Sequence, residues 1–82
     1  MVTTVKTRTK IIDNYVFQSV PNAFNDRSQS VWVSKRDYTL AAYCFSLPAN
    51  DWQAEKEWEY QLENAQEQYI RRLEEMLHAL YP

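Results

Sequence analysis

The 82-residue sequence contains no glycine, and this absence excludes several kinds of binding site. Phosphate-cradling loops, such as the P-loop and the dinucleotide fingerprint, need glycine where the backbone approaches the ligand. Tight turns must instead use Asn, Asp and Ser, whose short polar side chains suit such backbone conformations. We therefore expect turns built on these three residue types and no glycine-rich nucleotide site.

Cysteine and histidine occur once each, as Cys44 and His78. A single cysteine cannot form an intramolecular disulfide, and one Cys with one His cannot supply a structural zinc site. Cys44 lies in an apolar run, which favours a buried structural thiol over a nucleophile activated by His78. We expect no catalytic residue, metal, cofactor or small-molecule substrate, and therefore not an enzyme.

Long apolar runs are also missing. The longest, from Leu40 to Phe45, is too short to cross a bilayer. The segment from Met1 to Lys10 lacks the apolar core of a signal peptide. Together with the single cysteine, these features predict a cytoplasmic protein that does not enter a membrane.

Residues 2–47 have the patterns of short strands. Within residues 2–12, Val5, Thr7, Thr9 and Ile11 alternate with Lys6, Arg8 and Lys10, which predicts a strand with one wet face. Asp13 and Asn14 suit a two-residue turn, and a second strand should run from Tyr15 until Pro21 ends it. A third strand is expected around Val31–Val33.

The segment 38–47 supports two interpretations. Ser34 and Asp37 resemble a capping box that would open a helix through Leu47. Tyr, Thr, Cys and Phe in the segment favour a strand buried on both faces, whereas Leu and two Ala favour the helix. Periodicity cannot decide so continuous an apolar run, and we favour the strand.

Residues 50–82 predict one long amphipathic helix, about 51–80. Asn50 is a suitable N-cap, with Gln53 three residues later and Asp51 in the first turn. The apolar positions recur at spacings of three and four, which places them in a stripe on one face. They are Ala54, Trp58, Leu62, Ala65, Tyr69, Leu73, Met76 and Leu80.

The predicted helix is long for so small a domain. Thirty residues make a helix of about 45 Å, whereas a compact chain of this size is about 30 Å across. The overhang needs a second copy, a target protein or an unusually long sheet beneath it. We expect a protein interface, and a homodimer as one form of it, on these residues: Trp52, Ile70, Leu73, Leu77 and Tyr81.

Charge is divided unevenly along the chain and supports an alternative function. Residues 1–50 carry a net charge of +3 and residues 51–82 carry −5. Lys6, Arg8 and Lys10 share one strand face, which could follow a nucleic-acid backbone or pair with the acidic helix. The helix carries an acidic ridge with a spacing of four, which resembles an ordinary solvated face or a nucleic-acid mimic. Its members are Glu55, Glu59, Glu63 and Glu67.

These patterns predict a single α+β domain over residues 1–82. A small antiparallel sheet of about four strands (residues 2–47) is followed by one long C-terminal helix (about 51–80). The expected function is a non-catalytic protein-binding module. Phage and other mobile elements encode many small proteins of this kind, so we expect a regulator or inhibitor of a host protein, with nucleic-acid binding as the alternative.

Overall fold

The computed structural model describes residues 7–22 and 28–81, apart from the side chain of Gln66. It confirms the α+β fold: a four-stranded antiparallel sheet is followed by a helical layer. The strands pair in chain order, β1-β2-β3-β4. Their bounds are Thr9–Ile12 (β1), Tyr15–Pro21 (β2), Gln29–Lys35 (β3) and Ala41–Leu47 (β4). The open question over residues 38–47 is thereby resolved in favour of a strand, but the strand begins at Ala41 and its residues alternate between exposed and buried, so the expectation of burial on both faces is wrong. Residues 2–6 of the predicted first strand lie outside the described residues.

Two aspartates make the turns that glycine makes in other proteins. Ile12 pairs directly with Tyr15, so Asp13 and Asn14 form the predicted two-residue turn, and Asp13 has a φ of 55°. Asp37 has a φ of 74° just after β3. The left-handed region disfavours most side chains, but Asp tolerates it because its carboxylate can hydrogen-bond locally.

The helical layer is interrupted, in contrast to the single helix predicted from the stripe. Helix α1 (Asp51–Glu63) begins at Asn50, whose Oδ1 accepts a hydrogen bond from Gln53 N at 3.0 Å, as the capping pattern predicts. It ends at Asn64, which leaves the helical region with φ −115° and ψ 26°. A π turn (Gln66–Ile70) then leads into helix α2 (Arg71–Leu80).

The π turn changes which side of the last helix is buried. A π turn holds more residues than an α-turn, so the helix that follows is rotated relative to a continuous α-helix. Leu73 and Leu77 are buried in α2, whereas Met76 and Leu80 of the predicted stripe are exposed. Asn64 is a weak helix former, and this local preference is the sequence feature that permits the interruption.

The core lies between the helical layer and one face of the sheet. Its largest fully buried side chains are Phe17, Val31, Val33, Leu47 and Leu73. Phe45 packs between the rings of Trp58 and Tyr69, with centroid distances of 6.4 Å and 5.6 Å. These rings let an 82-residue chain bury a large apolar area with few residues.

The helical layer covers the whole length of the sheet. Arg8 pairs with Glu55 at one end, and at the other the ring of Tyr81 lies 5.4 Å from that of Tyr38 in the β3–β4 connection. The molecule measures 48 × 24 × 17 Å. The length comparison made from the sequence assumed a compact sphere, whereas the helical layer contacts its own chain near both of its ends.

Candidate protein-binding surfaces

The sheet has a second face that the helices do not cover, which we call the outer face. Strand register places residues in rows across the sheet, and paired residues point to the same side. One row joins Thr9, Gln18, Trp32 and Tyr43. The rows on either side contain Ile11, Val16, Ser34 and Ala41, and Val20, Ser30 and Ser46.

The outer face is exposed, carries apolar groups and has no charge. None of its eleven residues is Asp, Glu, Lys or Arg. Ile11, Val20, Trp32 and Tyr43 are all exposed, Trp32 to 37% and Tyr43 to 46%. Trp32 and Tyr43 make an edge-to-face contact with centroids 5.6 Å apart, which fixes both rings on β3 and β4. The face therefore offers oriented aromatic groups among Ser, Thr and Gln side chains.

Sequence reasoning missed this surface, although a signal was present. The first strand was expected to have one wet face, but the structure exposes residues on both of its sides: Thr9 and Ile11 lie on the outer face, and Lys10, which pairs with the core residue Phe17, is exposed as well. The useful signal is the absence of charged residues from 14–25, 28–34 and 38–50. A sheet that turns one face to water normally shows polar or charged residues at every second position of its strands.

The five residues predicted as an interface separate into two groups. Ile70, Leu73 and Leu77 belong to the hydrophobic core of their own chain. Trp52 and Tyr81 are exposed, Trp52 to 70%, near the two ends of that layer. The structure therefore does not bring the five together on one surface.

The predicted basic strand face is occupied by the chain itself. Arg8 is buried, and its Nε donates to Glu55 Oε2 at 3.0 Å. The backbone around it continues the β1–β2 pairing, because Ser19 N donates to Arg8 O at 2.9 Å. Lys10 is exposed beside α1, and Lys6 lies outside the described residues. Arg8 therefore pairs with the acidic helix, which is one of the two uses the sequence suggested.

The acidic ridge is exposed but is not continuous. Glu55 is paired with Arg8, and Glu67 lies in the π turn beyond the end of α1. Glu59 and Glu63 border an open groove of about 570 Å³ between α1 and β1. The groove is lined by Lys10, Lys56, Trp58, Glu59, Tyr60, Leu62 and Glu63. Charges of both signs line it, so it does not present a uniform row of carboxylates.

A polar cluster ties α2 to the sheet. Glu74 accepts hydrogen bonds from the Tyr15 hydroxyl and from Lys35 Nζ, the latter at 3.0 Å. The hydrogen bond from Tyr15, followed by that from Lys35, lowers the pKa of Glu74, and the bond to Glu74 raises the pKa of Tyr15 and of Lys35. These shifts keep Glu74 ionised and keep Tyr15 and Lys35 protonated at neutral pH. The cluster is therefore a structural link between α2 and the sheet rather than a poised acid or base.

Cys44 is the extra residue of a β-bulge in β4. Val31 pairs with Phe45 and Trp32 with Tyr43, which leaves Cys44 unpaired between them. Burial raises the pKa of its thiol to about 12. The thiol is therefore protonated at neutral pH and is a poor nucleophile.

Among residues 7–22 and 28–81, no group of three or more His, Cys, Asp or Glu side chains is arranged to hold a metal ion. No helix within the same ranges combines the length and apolar character needed to span a bilayer. Comparison with protein-family models, with curated proteins and with solved structures gave no match.

Proposed function

We propose that this chain is a non-catalytic protein-binding module, of the small regulator or inhibitor type, that binds a partner through the outer face of its sheet. The observation that carries the proposal is the exposed and uncharged character of that face, with Trp32 in its middle row. Interface cores are depleted of charge and enriched in Trp and Tyr, and energetically important contacts cluster near their centre. The partner that fits is a protein surface that is itself apolar and uncharged.

The distribution of charge supports a protein partner over nucleic acid. Phosphate binding requires cations on the binding surface, and the outer face carries none. Arg8, the buried cation just before β1, is already paired with Glu55. The charged side chains of the helical layer lie away from the outer face, where they favour solubility and disfavour unsuitable partners.

Affinity capture with matched variants tests this proposal. The tagged chain and three variants, Trp32→Lys, Gln18→Lys and Trp52→Lys, would be used to capture proteins from a lysate of the source cells. Both outer-face substitutions place a charge that a partner would have to desolvate, so each should reduce recovery of the bound protein at least about tenfold. Trp52→Lys should leave recovery unchanged, because Trp52 is exposed on α1.

The controls separate loss of binding from loss of structure. Gln18 is an exposed polar residue, so Gln18→Lys should fold normally even if Trp32→Lys does not. Circular dichroism and thermal unfolding of each variant would establish this. Recovery that falls with Trp52→Lys, or that survives both outer-face substitutions, would contradict the proposal. If the captured protein is an enzyme, adding the purified chain should alter its activity.

A further inference from the structure

We infer that the partner of the outer face is a second copy of this chain, in a two-fold dimer that packs the two sheets face to face. This inference rests on the proposed function, since it names the occupant of the same surface. Two antiparallel sheets commonly pack about 10 Å apart with their strands roughly aligned. A two-fold axis requires a surface that complements itself, and an uncharged face with aromatic and hydroxyl groups meets that requirement.

Electrostatics favours the sheet over the helices as the dimer contact. Residues 51–82 carry a net charge of −5, so packing helix against helix would bring like charges together. Packing sheet against sheet leaves the two helical layers roughly 30 Å apart, which is several times the Debye length of about 8 Å in physiological salt. Self-association through the outer face therefore meets little charge repulsion.

The position of Trp32 gives the dimer an anchor. It lies on an inner strand and in the middle row, between Gln18 on β2 and Tyr43 on β4. With the sheets about 10 Å apart, the aromatic pair of each copy reaches the middle row of the other. Ser30, Ser34 and Ser46 lie in the flanking rows, where hydroxyl groups can pair or remain hydrated.

The size of the face sets the strength of the contact. Three strands of seven residues and one of four, about 4.8 Å apart, cover roughly 400 Å² in projection, and projecting side chains make the accessible area larger. Stable interfaces bury about 600 to 1,000 Å² on each partner, so this face lies at the lower end. The dimer should form reversibly in the micromolar range, and because no charge lies in the contact its dissociation constant should change less than about threefold between low and high salt.

Sedimentation equilibrium over concentrations from about 5 to about 500 µM tests the dimer. The wild-type chain and Trp52→Lys should rise from 9.8 kDa towards twice that mass. Trp32→Lys and Gln18→Lys should remain monomeric, with at least about a tenfold weaker association. A wild-type chain that stays monomeric at the highest concentration overturns the inference, as does a dimer that both outer-face variants retain.

The result also distinguishes this inference from the proposed function. A monomeric wild-type chain whose capture of another protein is lost with Trp32→Lys would overturn the second copy and leave protein binding through the outer face intact. A dimer that retains its mass with Trp32→Lys and Gln18→Lys, and loses it with Trp52→Lys, would place the dimer contact on α1 and overturn the inference. The proposed function would be overturned only if capture of another protein also survived both outer-face substitutions.

Discussion

Leu77 and Leu80 provide a matched test of how α2 is oriented, because the same substitution at each should have very different effects. Leu77 is 5% exposed within the core, and Leu80 is 60% exposed at the end of the helix. Sequence periodicity placed Leu80 in the stripe that faces the sheet, whereas Leu77 was expected at a protein interface. Leu77→Ala and Leu80→Ala remove the same three carbon atoms, so a difference between them measures burial.

The expected magnitudes follow from that burial. Leu77→Ala removes transfer free energy and leaves a cavity, which together cost about 3 kcal/mol. Leu80→Ala loses well under half of the transfer term and leaves no closed cavity, so it should cost less than about 1 kcal/mol. Alanine is a strong helix former, so neither substitution penalises the helix itself. A domain of this size is stabilised by about 4 to 12 kcal/mol, so Leu77→Ala removes a large share.

Urea denaturation monitored by circular dichroism measures both effects. With a slope of about 1 to 1.5 kcal/mol per molar urea, Leu77→Ala should lower the midpoint by about 2 to 3 M, and Leu80→Ala by less than about 1 M. The protein concentration must be the same throughout, because any dimer adds concentration-dependent stability. Equal shifts for the two variants would refute the orientation of α2. Leu77→Ala that dissociated a dimer without lowering the stability of the monomer would instead show that this residue faces a second chain.

Three further predictions concern polar and titratable groups. Glu55→Gln leaves the buried Arg8 guanidinium without its carboxylate and should lower the free energy of unfolding by about 1 kcal/mol, measured by urea denaturation against Glu59→Gln, which should change little. The lowered pKa of Glu74 contributes stability above its ordinary value of 4.5 that is lost as the pH falls through the lowered pKa. Glu74→Gln should therefore reduce the loss of thermal midpoint that the wild-type chain shows as the pH falls below about 5. A thiol reagent at pH 8 should modify native Cys44 hundreds of times more slowly than the chain in urea, because burial raises its pKa to about 12.

Each of these predictions has a contrary outcome. Equal losses for Glu55→Gln and Glu59→Gln would mean that the ion pair with Arg8 contributes no more than a surface charge. If Glu74→Gln leaves the fall of the thermal midpoint at acid pH unchanged, that pH dependence belongs to other carboxylates. Reaction of native Cys44 at the unfolded rate would show that the bulge leaves the thiol open to solvent.

Local features of this fold could be predicted from the sequence because short-range chemistry determines them. The Asp13–Asn14 turn, the end of β2 at Pro21 and the cap at Asn50 each depend on neighbouring residues alone. The α+β order follows from a change of apolar period near Asn50. Stripe residues up to Tyr69 are largely buried as the period predicts, with Leu62 partly so.

Features that depend on tertiary packing could not be predicted in this way. The interruption at Asn64 rotates α2, and no single residue shows how far the rotation goes. Arg8 is an ordinary surface residue by type, and its burial depends on Glu55 lying opposite it, 47 positions later. Strand alternation gives two faces without saying which one the helices cover, so the sequence left open whether Arg8 and Lys10 lie on the side that faces the helices.

The meander order of the sheet has a consequence for synthesis of the chain. Each strand pairs only with its neighbour in sequence, so hairpins can form one after another as residues emerge from the ribosome. The covering helices come later in the chain, and until α2 is made the side of the sheet that holds Phe17, Val31 and Val33 has no complete cover. A nascent chain that stalls before Leu73 would therefore expose apolar strands on both sides of one sheet, and such a surface is prone to aggregation.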